Sequence, residues 1–317
     1  MGKKCLKTLT LDADALMIRG PDAFAFIQGM FTADVRRGLR ESKVIPYGGG
    51  SFLLDQKAKI VAPSKYWVFN SQEILVSLPK SSAELVAMEL EKFHVADDLE
   101  ILKPAQRPWL AQILVQAESS DTGFTASPLA GPGDGAHDRV FELQTHAWGY
   151  SLALPEWGAD FFQLWVNDLK KLEATFDLKP FSDSEFQEIR IDRGVPQWGV
   201  DWDRDSFVLE FPHGPEISFF KGCYKGQEVV ARGTYRGTLP KAFAKFKADP
   251  SQVLSVGFVY NSDEPEKPIG KISSVHRGAG LGLLRVSALQ NGRLFQGEGT
   301  EKRTLINKVD LLIQGRE

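Results

Sequence analysis

After Pro240 the chain is cut into short apolar runs, AFAKFKA, VLSVGFVY, KPIGKISSV, GLGLLRVSAL and KVDLLIQ, separated by Gly, Pro and Asn. Runs this short leave no room for amphipathic helices. Their even spacing between turn residues predicts a small β-barrel of roughly 75 residues. Upstream, SFLLD (51–55), EILVSL (73–78) and AQILVQA (111–117) read as further strands, now interleaved with helical stripes. Pro21 with Phe24, Ile27 and Phe31 predicts a helix near 21–30. Ser81 and Glu84 have capping-box spacing, and Val86, Leu90 and Phe93 carry that helix over about 82–94. Phe161, Leu164, Trp165, Leu169 and Leu172 make the most regular stripe, which predicts a helix inside 156–173. Ser182, Glu185, Phe186 and Ile189 predict another that Gly194 ends. No glycine-rich strand-to-helix turn of the dinucleotide type is present, so the class expected is α+β.

A chain of 317 residues supports two or three domains. The expected division is 1–105 and 106–238 as two α+β domains and 239–317 as the barrel, with GPGDGAHD (131–138) a loop inside the second. At 43% hydrophobic and 25% charged the composition is that of a folded globular protein. A net charge of −3 excludes a global attraction to nucleic acid or membrane. The two cysteines, Cys5 and Cys223, cannot supply the four thiolates of an iron–sulfur cluster or a Cys₄ zinc site, so no metal site is expected. So sparse a use of cysteine favours a reducing compartment, and with Lys7, Asp12 and Asp14 interrupting any apolar leader the expectation is a cytoplasmic protein without a membrane span.

Charge is nevertheless uneven. Residues 181–220 hold nine acidic and three basic side chains, whereas 221–247 hold one acidic and seven basic. The switch falls at ISFFKGCYKGQEVVARGTYRG (217–237), where Gly222 and Gly226 flank Cys223 ahead of a helix-compatible QEVVAR. Lys221, Lys225 and the helix start would favour thiolate, making Cys223 a candidate reactive residue. The alternative is a buried cysteine packed beside Phe219, Phe220 and Tyr224. Of the five histidines, His213 is the nearest candidate base. The basic stretch also admits transfer-RNA binding, with Tyr224, Tyr235, Phe243 and Phe246 for stacking.

The octapeptide KGCYKGQE (221–228) resembles the K-G-C-Y-x-G-Q-E motif of the YgfZ-type folate-binding proteins, relatives of the glycine-cleavage T protein. RGPDAFAFIQGMFTADV (19–35) resembles the family's opening, with Phe26, Gln28, Gly29, Thr32 and Asp34 in place. IRIDRGVPQWGVDWD (189–203), VLEFPHGPEISFF (208–220) and KPIGKISS (267–274) resemble three further family segments, and Glu210 falls on the family's glutamate. The resemblance implies a three-domain clover-leaf around a central channel that takes tetrahydrofolate or a one-carbon derivative. It implies an accessory role in assembly or repair of iron–sulfur enzymes, including those that modify transfer RNA, which would be its clients. Glu210 would accept from the pterin edge, Cys223 would be a redox-active or one-carbon-accepting thiol, and Lys221, Tyr224, Gln227 and Arg232 would contribute to the folate site. Arg232 and Arg236 suit the carboxylates of a folate glutamate tail.

Two departures qualify this. FNSQEI (69–74) lacks the aspartate that the T protein carries just after the comparable turn, and Glu73 is the nearest carboxylate. DQKAKIVAPSKYW (55–67) has Ala58 and Lys59 where the family shows glycine and arginine in a hairpin. A folate-dependent one-carbon transferase, of aminomethyltransferase or demethylase type, is therefore the alternative rather than the leading reading.

Overall fold

The structure is a computed structural model of the 317-residue chain. It describes residues 3–40, 43–44, 46–103, 111–117, 122–126, 128–129, 140–213, 216–235, 239–249, 251–289, 293–297 and 304–312. The loop 131–138 and Arg236 lie outside them. The chain forms two compact units, the first made of residues 1–181 and 214–227 and the second of 182–213 and 228–317. The architecture is α+β, as the sequence predicts.

The first unit holds two sheets. The seven-stranded one runs, in spatial order, Pro128–Leu129, Val140–Glu142, Tyr47–Leu54, Ile60–Asn70, Glu73–Pro79, Ala13–Arg19 and Glu100–Leu102. The six-stranded one runs Gln144–His146, Gly149–Ala153, Phe161–Val166, Ala111–Ala117, Lys4–Leu11 and Phe176–Pro180. Met17, Trp67 and Leu75 of the first sheet share a core with Leu6, Ile113 and Trp165 of the second. The opposite face of the seven-stranded sheet is covered by helices α1 (Ala23–Met30) and α2 (Ala83–Glu91), which bury Phe26, Ile27 and Met30 and Val86 and Leu90 against it.

Two sequence expectations change here. Residues 161–166 are a strand, and only α3 (Leu169–Thr175) is helical, started by Asp168, whose side chain accepts from the Lys171 N–H. All six residues of FFQLWV are buried because the strand is covered on both faces. Such a strand has no polar side to show period two, so its apolar residues matched a helical stripe by coincidence. At the start of α2, Ser82 rather than Ser81 is the N-cap and its side chain makes no capping bond, while Ser81 has a left-handed backbone at φ 61°.

The second unit is built on a closed six-stranded barrel, in the order Lys241–Ala248, Ala279–Arg285, Glu264–His276, Gly257–Asn261, Leu294–Gln296 and Thr304–Leu311. Closure removes both sheet edges. Helix α4 (Asp183–Arg193) has the full capping box from Ser182 and Glu185, and Gly194 ends it at φ 73°. Helix α5 spans Gln227–Tyr235.

Arg190 of α4 is 2% exposed and donates to Asp201 Oδ2 at 2.6 Å, to the Gln187 side chain at 2.7 and 3.1 Å, to Val195 O at 3.0 Å and to Ser274 Oγ at 2.8 Å. Asp201 accepts in turn from Ser273 Oγ and Ser274 Oγ, each at 2.6 Å, and from the Gln197 N–H at 2.8 Å. Losing one partner of a buried, fully bonded pair strands the other charge, at a cost of about 3–5 kcal/mol. Asp201→Ala is therefore expected to lower unfolding stability by about that amount and Ser274→Ala by about 1 kcal/mol, both read from urea denaturation. An Asp201→Ala loss no larger than that of Ser274→Ala would contradict this.

Candidate functional site

In the first unit the segment 216–227 docks against the loop that follows α1. Gln28 forms the loop's inner brace, its Nε2 donating to Asp34 Oδ1 at 2.8 Å while its Oε1 accepts from the Val35 N–H at 2.9 Å. Thr32 ties three chain segments. Its Oγ1 donates to Glu216 O at 2.5 Å and accepts from the Phe52 N–H at 2.9 Å, and its carbonyl accepts from the Ser218 N–H at 3.0 Å. The Lys225 N–H reaches Gly29 O at 3.3 Å.

Lys221 completes the join. Its ammonium is buried and donates to Gln28 O at 2.6 Å, to Ala33 O at 2.8 Å and to Phe31 O. Burial pushes its pKa down to about 7, with Asp34 opposing and Arg36 assisting that shift. Against the desolvation, three carbonyl acceptors match the three donors that only the charged form has. Lys221 Nζ also lies 4.9 Å from the centroid of the Tyr224 ring. Tyr224 is 6% exposed, its hydroxyl has no hydrogen-bond partner among the described residues, and burial pushes its pKa upward.

Cys223 stands on the turn between these anchors and α5, and its side chain is exposed. Packing as a small buried hydrophobe is thereby excluded. Phe220, at 87% exposed, also stands out in solvent. Neither lysine expected to face the thiol is free to do so: Lys221 is committed to carbonyls, and Lys225 Nζ pairs with Glu89 Oε2 at 2.9 Å. Gln227 Nε2 donates to Lys221 O at 3.4 Å, and Gly226, at φ 84°, comes so near Asp55 O that a Cβ would sit 2.6 Å from it. The hairpin at Asp55 persists without its glycine and arginine. Asp55 Oδ1 accepts from the N–H groups of Lys57 and Lys59, both at 2.8 Å, and Ala58 takes the left-handed conformation at φ 59°.

Structure thus brings Lys221, Cys223, Tyr224 and Gln227 together in the first unit. Glu210 and Arg232 belong to the second. Glu210 ends a 3₁₀ turn, Val208–Glu210, whose Val208 and Leu209 are buried. Its half-buried carboxylate receives no hydrogen bond from any described residue; burial raises its pKa and the Lys241 charge opposes that rise. Gly233 of α5 allows the helix to approach that turn, since a Cβ there would lie 2.8 Å from Leu209 Cδ1. Arg232 is exposed and pairs with Glu228 one turn earlier. His213 contacts Phe211 O through Nδ1 at 2.8 Å. Glu73 pairs with Arg19 at 2.9 Å.

Four of the seven basic residues of 221–247 already have partners. Lys221, Lys225, Arg232 and Lys245 are each engaged, the last with Asp192 Oδ1 at 2.6 Å. Of the aromatics expected to stack on bases, Phe243 and Phe246 are fully buried and Tyr224 nearly so, leaving Tyr235. The charge count could not show this, because the acidic partners lie up to 136 residues away in sequence. Among the described residues no group of three or more His, Cys, Asp or Glu side chains is placed to hold a metal ion, and no helix is long and apolar enough to cross a membrane.

No protein-family model matches the sequence. The fold does have a known counterpart: the crystal structure of glycine cleavage system aminomethyltransferase T from Bartonella henselae superposes with a TM-score of 0.72 over 96% of this chain and 85% of that one, at 14% identity. The chain therefore has the aminomethyltransferase T fold. In sequence it is 39% identical over 79 residues to the tRNA-modifying protein YgfZ of Pectobacterium carotovorum, and 44% identical over 64 residues to the tRNA-modifying protein YgfZ of Vibrio atlanticus. An uncharacterized protein of Haemophilus influenzae is 51% identical over 41 residues. These matches cover 25%, 20% and 13% of this chain and 21%, 18% and 15% of the respective relatives. The chain thus spans about a fifth of the length of the YgfZ proteins it resembles in sequence, and shares its fold with aminomethyltransferase T.

Two outcomes check the geometry. Lys221→Met leaves three carbonyls without their donor, and at about 1–3 kcal/mol for each buried group it should cost the first unit about 3 kcal/mol or more; near-wild-type stability in denaturant titration would refute the anchoring role. In native protein the exposed Cys223 should give a fast phase with Ellman's reagent, and Cys223→Ser should abolish that fast phase. A fast phase surviving the substitution would mean that Cys5 is the accessible one.

Proposed function

We propose that this protein binds a reduced folate, tetrahydrofolate or a one-carbon derivative, and serves as an accessory factor for assembly or repair of iron–sulfur enzymes, among them enzymes that modify transfer RNA. The observation that carries the folate reading is Glu210, a half-buried carboxylate raised in pKa by burial and given no donor by the described residues. Desolvating a carboxylate without compensation is unfavourable, and a pterin offers two adjacent N–H donors of the kind a carboxylate accepts. The T-protein fold and the tRNA-modifying names of the YgfZ relatives support the same reading.

In this proposal Cys223 is the working thiol, displayed by a turn that Lys221 and Gln227 build. Lys221, Tyr224 and Gln227 act through that turn, and Arg232 is the candidate partner for the folate carboxylates, with Glu228 as its resting counter-charge. The transferase alternative gains no residue from the geometry, since Glu73 is held by Arg19.

The experiment is calorimetric titration with tetrahydrofolate under anaerobic reducing conditions. A charge-assisted hydrogen bond contributes about 1.5–3 kcal/mol, so Glu210→Ala should weaken binding by about ten- to a hundredfold. The pH dependence has a definite sign. A carboxyl with a raised pKa regains its proton on acidification before an ordinary glutamate does, and the protonated form cannot accept two bonds. Affinity should accordingly fall as pH drops, beginning above the usual 4.5, and Glu210→Gln should flatten that fall. Absence of binding by the unaltered protein would sink the folate reading.

A further inference from the structure

The barrel strand Lys241–Ala248 turns alternate residues to opposite sides. Ala244 and Phe246 belong to the barrel core. On the other side Phe243 packs against Phe211, ring centroids 5.2 Å apart, in a separate cluster with Ile191 and Leu281. Lys241, Phe243 and Lys245 share that outer side, and each faces a residue of the segment 192–211. Lys245 Nζ is closed onto Asp192, 2.6 Å from Oδ1 and 2.5 Å from its backbone carbonyl. Phe243 is closed onto Phe211. Lys241, two residues before Phe243, falls beside Glu210, the residue before Phe211, and its charge acts on that carboxylate. Yet Lys241 and Glu210 form neither a hydrogen bond nor an ion pair, and no other described residue engages either side chain. One strand thus carries two lysine–carboxylate couples, one closed and one open.

An open couple whose carboxylate is half-buried is suited to a ligand edge that supplies donors to one end and an acceptor to the other. We propose that Glu210 and Lys241 together read the donor–donor–acceptor edge of a 2-amino-4-oxopyrimidine ring, Glu210 accepting from the exocyclic amine and the ring N3–H while Lys241 donates to the 4-oxo oxygen. This rests on the folate reading and deepens it, because it assigns Lys241 as a residue that selects the 4-oxo ring. A 2,4-diamino ring places a donor where Lys241 also donates, so the ammonium meets no acceptor there. That ring also carries no hydrogen on N3, so it offers Glu210 the 2-amino donor alone, and Lys241 adds to a discrimination that the carboxylate begins.

The test titrates the full chain with tetrahydrofolate and with its reduced 2,4-diamino analogue, in the unaltered protein and in Lys241→Met and Lys241→Arg. The quantity read is the ratio of the two dissociation constants. Loss of one charge-assisted bond predicts that Lys241→Met shifts this ratio toward the diamino analogue by about tenfold or more, through weaker tetrahydrofolate binding. Lys241→Arg retains a donor and should restore most of the preference. Lys241 is exposed at the start of its strand, so the melting temperature should be unchanged by either substitution. An unchanged ratio in Lys241→Met would overturn the role of Lys241 and leave Glu210 standing. Failure of the unaltered protein to bind either compound would overturn the folate reading itself.

Discussion

A single buried ammonium organises the segment that displays the cysteine. Lys221 is held by three carbonyls from one short stretch, Gln28, Phe31 and Ala33, and so fixes residues almost two hundred positions apart in the chain. The opposing forces on it are plain: desolvation pushes its pKa down to about 7, while three inward-pointing carbonyls would be stranded without it. Because Lys221 points inward, Cys223 two residues later is carried on an exposed turn. The loop after α1 is in turn shaped by Gln28, Thr32 and Asp34, so its polar residues act as internal ligands for backbone groups that no helix or sheet satisfies.

The second unit repeats the strategy with opposite sign at its centre. Asp201, fully buried, gathers Arg190, Ser273, Ser274 and a backbone N–H, and Arg190 uses its remaining donors on Gln187 and Val195. IRIDRGVPQWGVDWD and KPIGKISS, remote in sequence, are joined through this one cluster. Gln28, Thr32, Lys221, Arg190 and Asp201, which lie in the segments that resemble the family, thus satisfy buried polar groups. Cys223 and Glu210 differ: the thiol is exposed, and the carboxylate has no donor among the described residues.

That division explains what could be read from the amino-acid order. The barrel was legible because each of its strands is short, turn-bounded and apolar on one side. The α4 capping box was legible because Ser182 and Glu185 interact only with each other and with local backbone. Residues 161–166 were misread because burial on both faces erases the alternation that identifies a strand. For the basic run after 220 the amino-acid order counts charges without their partners, and Lys225 finds Glu89 only through the fold. Lys241 carried no signal at all, since its place depends on the side of a strand and on the packing of Phe243 against Phe211.

The hairpin at Asp55 shows how a local departure is absorbed. Ala58 occupies a left-handed conformation that would suit glycine, at a cost of about 1–2 kcal/mol for an ordinary residue. The turn nevertheless holds, because the Asp55 carboxylate accepts from the N–H groups of Lys57 and Lys59, and the Asp55 N–H reaches Lys59 O at 2.9 Å. Its shape matters beyond itself. Gly226 lies against the Asp55 carbonyl where no Cβ fits, so the glycine of the cysteine turn and the bend of the hairpin constrain each other. A chain that gave up glycine at position 58 could keep the bend through Asp55, whereas at 226 the contact is with backbone and has no side chain to yield. A side chain is therefore tolerated at position 58 of the hairpin but not at Gly226 of the turn that presents Cys223.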